Sequence, residues 1–163
     1  MSDIQDIRKA QRDEEWRKAV RDSVKPKDRM AQERIVMPEA DAQERSRSYI
    51  EVNMGLNLEQ AMTEAKRCLD CPSPSCVTGC PVEINIPTFI KNIERGEILE
   101  AARVIKETST LPAVCGRVCP QEKQCESKCI YVKSGKKPVA IGYLERFAAD
   151  YERESGKAAT PEV

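Results

Sequence analysis

Eight cysteines fall into two groups of four, and the chain contains no histidine. The first group reads Cys68-x2-Cys71-x4-Cys76-x3-Cys80-Pro81 and the second Cys115-x3-Cys119-Pro120-x5-Cys125-x3-Cys129. Eight thiols match the ligand count of two four-coordinate sulfur-ligated centres, so their spacing constrains the fold more than any apolar pattern does. Composition strengthens the constraint. Of 163 residues, 33% are charged and only 4% aromatic, with one Trp and two Phe. Such a chain builds a thin core, and thin cores are commonly completed by disulfides or a metal. The N-terminus, Met1-Ser2-Asp3-Ile4-Gln5-Asp6, lacks the apolar stretch of a secretory signal. Clustered cysteines without an export signal read as ligands in the cytoplasm rather than as a disulfide framework. Lys+Arg and Asp+Glu balance at 27 each, which gives no argument for nucleic acid, and no apolar run approaches a membrane span.

The apolar periodicity is helical throughout, and strand signals are nearly absent. The expected fold class is all-α, a helical domain whose cysteine-rich loops are held by metal. Residues 1–55 are polar, with a helical stretch around Trp16 in which Asp13–Arg17 and Glu14–Lys18 are spaced for exposed ion pairs. They read as a solvated arm lying on a neighbouring domain. The metal-binding domain is placed at 56–154. Asn57 is a good N-cap with Gln60 three residues on, and Leu58, Ala61, Met62, Ala65 and Leu69 recur at helical spacing. That helix delivers Cys68 and Cys71 at its end. Pro72 and Pro74 then force a loop, and one helical turn could aim Cys76 and Cys80 the same way. Pro87 opens a helix with Phe89, Ile90 and Ile93 inward, and Gly96 suits its end. Ile98, Ala101, Ala102 and Ile105 mark the next. The second cysteine group is expected in short turns punctuated by Pro112, Gly116 and Pro120. Lys133 to Pro138 is a polar loop. A last helix, from about Val139 to Glu154, places Ile141, Leu144, Ala148 and Tyr151 on one side, and 155–163 reads as linker.

Structural zinc often uses two Cys-x2-Cys pairs, and only one occurs here. The first group instead follows the bacterial ferredoxin run, Cys-x2-Cys-x2-Cys-x3-Cys-Pro, with its middle gap lengthened. In that run three thiolates grip one [4Fe-4S] cube and the Cys before Pro reaches another cluster. By the same logic Cys68, Cys71 and Cys76 hold one cluster and Cys80 leaves for the second. Cys119 and Cys125 join Cys80, and Cys129 returns to the first. Spacing alone makes Cys115 the last ligand of the second cluster, because thiolate suits iron–sulfur better than carboxylate. A structural zinc module for protein interaction is the rival reading.

A family resemblance rests on Asn57-Leu58-Glu59-Gln60-Ala61, Cys68-Leu69-Asp70-Cys71, Gly79-Cys80-Pro81-Val82, Ile84-Asn85-Ile86-Pro87, Leu111-Pro112, Cys115-Gly116-Arg117-Val118-Cys119-Pro120-Gln121-Glu122 and Ala140-Ile141-Gly142-Tyr143-Leu144-Glu145-Arg146-Phe147. These segments, over roughly the last two-thirds of the chain, resemble the N-terminal two-cluster domain of NADPH-dependent glutamate synthase small subunits. The N-terminal domain of dihydropyrimidine dehydrogenase and the large subunit of NADH-dependent ferredoxin:NADP oxidoreductase are similar. The resemblance implies an α-helical ferredoxin with two [4Fe-4S] clusters. It implies Cys68, Cys71, Cys76 and Cys129 at the first and Cys80, Cys119, Cys125 and Glu145 at the second. Cys115 is the alternative to Glu145 and is otherwise a spectator thiol. On residue pattern alone, Glu145 borders the inward face of its helix, where a carboxylate needs a charge partner or a metal.

In such families NADPH reduces FAD, and electrons pass through the clusters toward L-glutamate synthesis on a large subunit. The implied partners are therefore a downstream FAD/NADPH-binding domain and the glutamate synthase large subunit. A dinucleotide fingerprint Gly-x-Gly-x-x-Gly is expected soon after Pro161; the seven glycines include no such pattern, so the chain is expected to end in the linker and to bind neither FAD nor NADPH. No general acid, base or nucleophile is expected in it, since the commonest acid–base side chain is missing. The nearest alternative keeps the electron-transfer role and changes the parent flavin oxidoreductase.

Overall fold

The computed structural model describes residues 2–157, so the last six residues of the expected linker, Pro161 among them, lie outside the described part. Eleven α-helices follow in order among the described residues: α1 (Ser2–Arg12), α2 (Glu15–Asp22), α3 (Pro26–Ala31), α4 (Ala42–Arg45), α5 (Leu58–Lys66), α6 (Ser75–Thr78), α7 (Ile86–Glu94), α8 (Ile98–Lys106), α9 (Pro112–Val118), α10 (Ile130–Lys133) and α11 (Ile141–Ser155). Two 3-10 turns, Gln121–Lys123 and Glu126–Lys128, lie between α9 and α10. Among the described residues the extended pairing amounts to one isolated bridge, Glu39 with Asn53. The fold class is all-α, as the periodicity implies.

Local chemistry sets most of these boundaries. Asn57 caps α5 by accepting from the Gln60 amide at 2.9 Å, and the Gln60 side chain accepts from the Asn57 amide at 3.0 Å. This closes the capping box that the sequence promises. Asn57→Ala is expected to cost about 1 kcal/mol, read as a lowered urea midpoint with unchanged m-value. Pro87 occupies the first turn of α7, where its missing N–H costs no helical bond. Gly96 follows that helix at φ 86°, a left-handed conformation glycine adopts without a Cβ penalty.

The core lies where α5, α7, α8 and α11 meet. Ala61 and Ala65 on α5, Phe89, Ile90 and Ile93 on α7, Ala101, Ala102 and Ile105 on α8, and Leu144 and Ala148 on α11 are all buried. The many alanines explain how a chain with two Phe closes a core: small side chains let the helices approach. Each fully buried Ile, Leu or Phe still contributes about 1.5–3 kcal/mol. α7 is central, and all nine of its residues are buried, Lys91, Asn92 and Glu94 included.

Three expectations require correction. Asp13 and Arg17 do not form an exposed pair, because α2 begins only at Glu15 and Arg17 is 2% exposed, bound to Asp70 instead. Glu14, the residue before α2, takes the Trp16 indole N–H rather than Lys18. Leu111 to Val118 is not a string of turns: Pro112 starts helix α9, whose Gly116 packs directly on α11. Finally, Tyr151 points outward at 40% exposure while Glu152 is buried and pairs with Lys106. Among the described residues no helix is long and apolar enough to cross a membrane.

Candidate iron–sulfur centres

The end of α5, the loop after it and α10 deliver four thiols to one place. Cys68, Cys71, Cys76 and Cys129 line a single cavity of about 260 Å³, closed on its inner side by Ile86, Ile90, Tyr131 and Ile141. The chain reaches this arrangement by local breaks. Arg67 ends α5, Asp70 takes a left-handed φ of 52°, and Pro72 and Pro74 turn the chain into the short helix α6 carrying Cys76. Cys129 arrives from the other cysteine group, immediately before α10. Among the described residues no three Cys, Asp or Glu side chains converge as they would on a single metal ion. The four thiols instead share the lining of one cavity with room for more than a single ion.

Burial dominates the electrostatics. It pushes the Cys68 thiol up to about 12, against the pull of the Lys91 ammonium. It raises Cys76 strongly, with Cys68, Cys129 and Cys71 adding to the effect, and raises Cys71 with a further contribution from Cys129. Apolar burial disfavours four bare thiolates, and only a bound cation inverts that balance.

A second gathering forms between α9, the 3-10 turns and α11. Burial pushes the Cys119 thiol up to about 11, helped by Cys115, Glu145 and Cys80. Burial pushes Cys125 up to about 12, with Glu126, Cys80 and Glu145 contributing. Cys80 and Glu145 both bear electrostatically on Cys119 and Cys125, Gly79 packs on the Cys125 backbone, and Cys115 lies beside Cys119 one helical turn earlier. Glu145 is 6% exposed, its Oε1 has no hydrogen-bond partner, and burial alone raises its carboxyl to about 7. Cys115 differs: Ser109 Oγ lies 4.0 Å from its sulfur, and Gln121 donates to its carbonyl at 3.2 Å. A buried carboxylate oxygen with no partner, close enough to bear on Cys119 and Cys125, fits a metal-bound role, because buried polar atoms are otherwise almost always satisfied. A donor set dominated by thiols suits iron–sulfur ligation.

The surroundings contain groups that sequence reading missed. Asp70, within Cys68-x2-Cys71, is fully buried and receives Arg17 at 2.6 Å and Arg21 at 3.0 Å. Lys91 donates to the Cys68 carbonyl at 2.7 Å and to Glu94 at 2.5 Å. The Tyr131 hydroxyl donates to the Arg67 carbonyl at 2.6 Å. Glu64, fully buried, accepts from Arg67 and from the amides of Ile35 and Ala140. The only signal in the sequence was an acidic residue between two cysteines and a run of arginines upstream, and neither names its partner.

Residues 45–157 match the family described as dihydropyrimidine dehydrogenase domain II, 4Fe-4S cluster. The chain belongs to this family. All eight cysteines and Glu145 lie within the matched stretch. The glutamate synthase [NADPH] small chain of Escherichia coli is 38% identical over 124 residues, which is 76% of this chain and 26% of that protein. The corresponding chain of Azospirillum brasilense is 36% identical over 122 residues, 74% of this chain and 25% of that protein. The NAD-dependent dihydropyrimidine dehydrogenase subunit PreT of Escherichia coli is 41% identical over 97 residues, 59% of this chain and 23% of that protein. The chain thus spans about a quarter of the length of these relatives. As a member of the domain II family it is an iron–sulfur electron-transfer domain related to oxidoreductase subunits.

Proposed function

We propose that this domain relays electrons through two [4Fe-4S] clusters in an NADPH-dependent flavin oxidoreductase of the glutamate synthase type, in the cytoplasm. Cys68, Cys71, Cys76 and Cys129 hold the first cluster. Cys80, Cys119, Cys125 and Glu145 hold the second, and Cys115 remains a thiol. The observation that carries this reading is the exchange between the two sequence groups. Cys129 lines a cavity with the first three cysteines, while Cys80 sits beside Cys119 and Cys125. The partnerless Oε1 of Glu145 supports the carboxylate as the eighth ligand.

When bound, such clusters supply one-electron transfer at potentials tuned by ligand type, hydrogen bonds and exposure. The chain's own residues do the rest. Ile86, Ile90 and Ile141 keep water from the inner side of the first centre. Lys91 and Tyr131 fix the backbone that carries Cys68 by binding the carbonyls of Cys68 and Arg67. A carboxylate at only one centre makes the two electronically unlike. The proposed partners are an FAD- and NADPH-binding domain on the same polypeptide and a glutamate synthase large subunit, where L-glutamate forms. The similarity to glutamate synthase small chains and to PreT supports the relay more broadly than it supports either parent.

The test is anaerobic purification followed by iron, sulfide and zinc analysis and visible absorption. The expected result is a brown protein with about eight iron and eight sulfide per chain, reducible in two one-electron steps. A colourless, folded, zinc-loaded protein would sink the reading in favour of a structural zinc module.

A further inference from the structure

The N-terminal helices precede the stretch that matches the family, yet they bury charge against the loop of the first centre. Asp70 stands between Cys68 and Cys71, and its carboxylate is closed off from solvent. Arg17 on α2 reaches it through Nε, at 3.2 Å from both oxygens, and through Nη2, at 2.6 Å from Oδ1. The same guanidinium donates to Thr88 Oγ1 on α7 at 2.7 Å. Arg21 donates to Asp70 Oδ2 at 3.0 Å. Arg12, on α1, donates from Nε to the Asp70 carbonyl at 3.0 Å. Two guanidiniums thus meet the Asp70 carboxylate and a third meets its backbone carbonyl. Two acidic residues also approach them, Asp13 at 3.8 Å from Arg12 and Asp22 at 3.9 Å from Arg21, but both are solvent-exposed and screened. Among the buried and partly buried groups, three guanidiniums stand against the single Asp70 carboxylate.

We propose that Arg12, Arg17 and Arg21 are positioning residues that clamp the Cys68–Cys71 loop and raise the reduction potential of the centre held there. The proposal rests on the two-cluster reading above. Reduction adds negative charge, and a buried net positive charge nearby favours the reduced form. The arm also covers the carbonyl and carboxylate of Asp70, groups that would otherwise draw water to the loop. A unit charge about 10 Å away at an effective dielectric of about 20 shifts an equilibrium roughly tenfold. Charges on the arm are therefore large enough to set the potential, and because they bind Asp70, between two ligands of the first centre, the effect is selective.

A clamp that acts through charge and one that merely holds the loop differ in sign. Removing an arginine leaves Asp70 less compensated and lowers the potential. Asp70→Asn leaves the arginines in excess and raises it. Simple loosening admits water in both cases and moves both variants the same way.

The experiment is redox titration followed by electron paramagnetic resonance on wild type, Arg17→Gln, Arg21→Gln and Asp70→Asn. The first centre is identified as the signal that Glu145→Ala leaves unchanged. Arg17→Gln should lower the reduced-to-oxidised ratio of that signal about tenfold at fixed ambient potential, about 59 mV for a one-electron couple. Arg21 is less buried, so Arg21→Gln should give a smaller shift of the same sign and keeps the test alive where Arg17→Gln fails to fold. Asp70→Asn should shift it upward, and the second signal should not move. Two clusters with unmoved midpoints, or same-sign shifts for Arg21→Gln and Asp70→Asn, would overturn the clamp alone. A wild-type protein without two clusters would overturn the reading beneath it as well.

Discussion

Replacing Glu145 with alanine is expected to remove or strongly alter one of two paramagnetic signals in the reduced protein. The loss should be up to about half of the bound iron, since one cube carries four of about eight irons. Cys115→Ala should leave both signals and the iron content unchanged. Glu145 Oε1 is buried without a partner, whereas the Cys115 sulfur lies near Ser109 Oγ. The reverse outcome would make Cys115 the ligand. The same carboxylate leaves a trace in the metal-free protein. Burial raises it from 4.5 to about 7, so folding favours its neutral form. Its contribution to stability is complete below about pH 4.5 and is lost as the pH rises through about 7, a loss on the order of 3 kcal/mol. Denaturant midpoints of metal-free wild type should fall relative to Glu145→Gln over that window. Parallel curves would show that the carboxyl is better solvated than its burial implies.

Gly116→Ala should destabilise the protein by about 1–3 kcal/mol or more and selectively damage the same centre. A Cβ at Gly116 would sit 2.6 Å from the Arg146 amide nitrogen and 2.8 Å from its Cα. These are backbone atoms, so α9 and α11 must move apart. Cys119 lies three residues beyond Gly116, and Glu145 precedes Arg146, so the movement separates two proposed ligands of one cluster. For a chain of this size the melting temperature should fall by about 2–4 °C per kcal/mol. Gly142→Ala should be milder, because there the nearest atoms belong to the end of the Gln121 side chain, which can swing aside. Equal losses of both clusters in Gly116→Ala would show that the helix pair supports the whole domain rather than one site.

Lys106 and Glu152 show why the arm and the last helix are less legible in the sequence than the middle of the chain. On a helical wheel Tyr151 continues the apolar side of α11, but α8 brings Lys106 to that end, so Glu152 turns inward and Tyr151 outward. Arg17 follows the same logic. Its spacing from Asp13 suits a helical pair, yet the helix is interrupted at Asp13–Glu14, and a buried acid 53 residues later decides its contacts. By contrast, Asn57, Pro87 and Gly96 act on backbone within four residues of themselves, and their effects appear where the sequence puts them.

Spacing, capping and helical period are local properties, and they determine the all-α class, the α5, α7, α8 and α11 helices and the ferredoxin-like run around Cys68. Tertiary packing decides what depends on distant partners. It brings Cys129 to the cavity of Cys68, Cys71 and Cys76, sets Cys80 beside Cys119 and Cys125, and leaves Glu145 Oε1 without a hydrogen bond. It also folds three arginines of a polar arm onto Asp70. The physical reason is that burial and charge neutralisation are set by whichever groups meet in space, and separation along the chain does not encode that meeting.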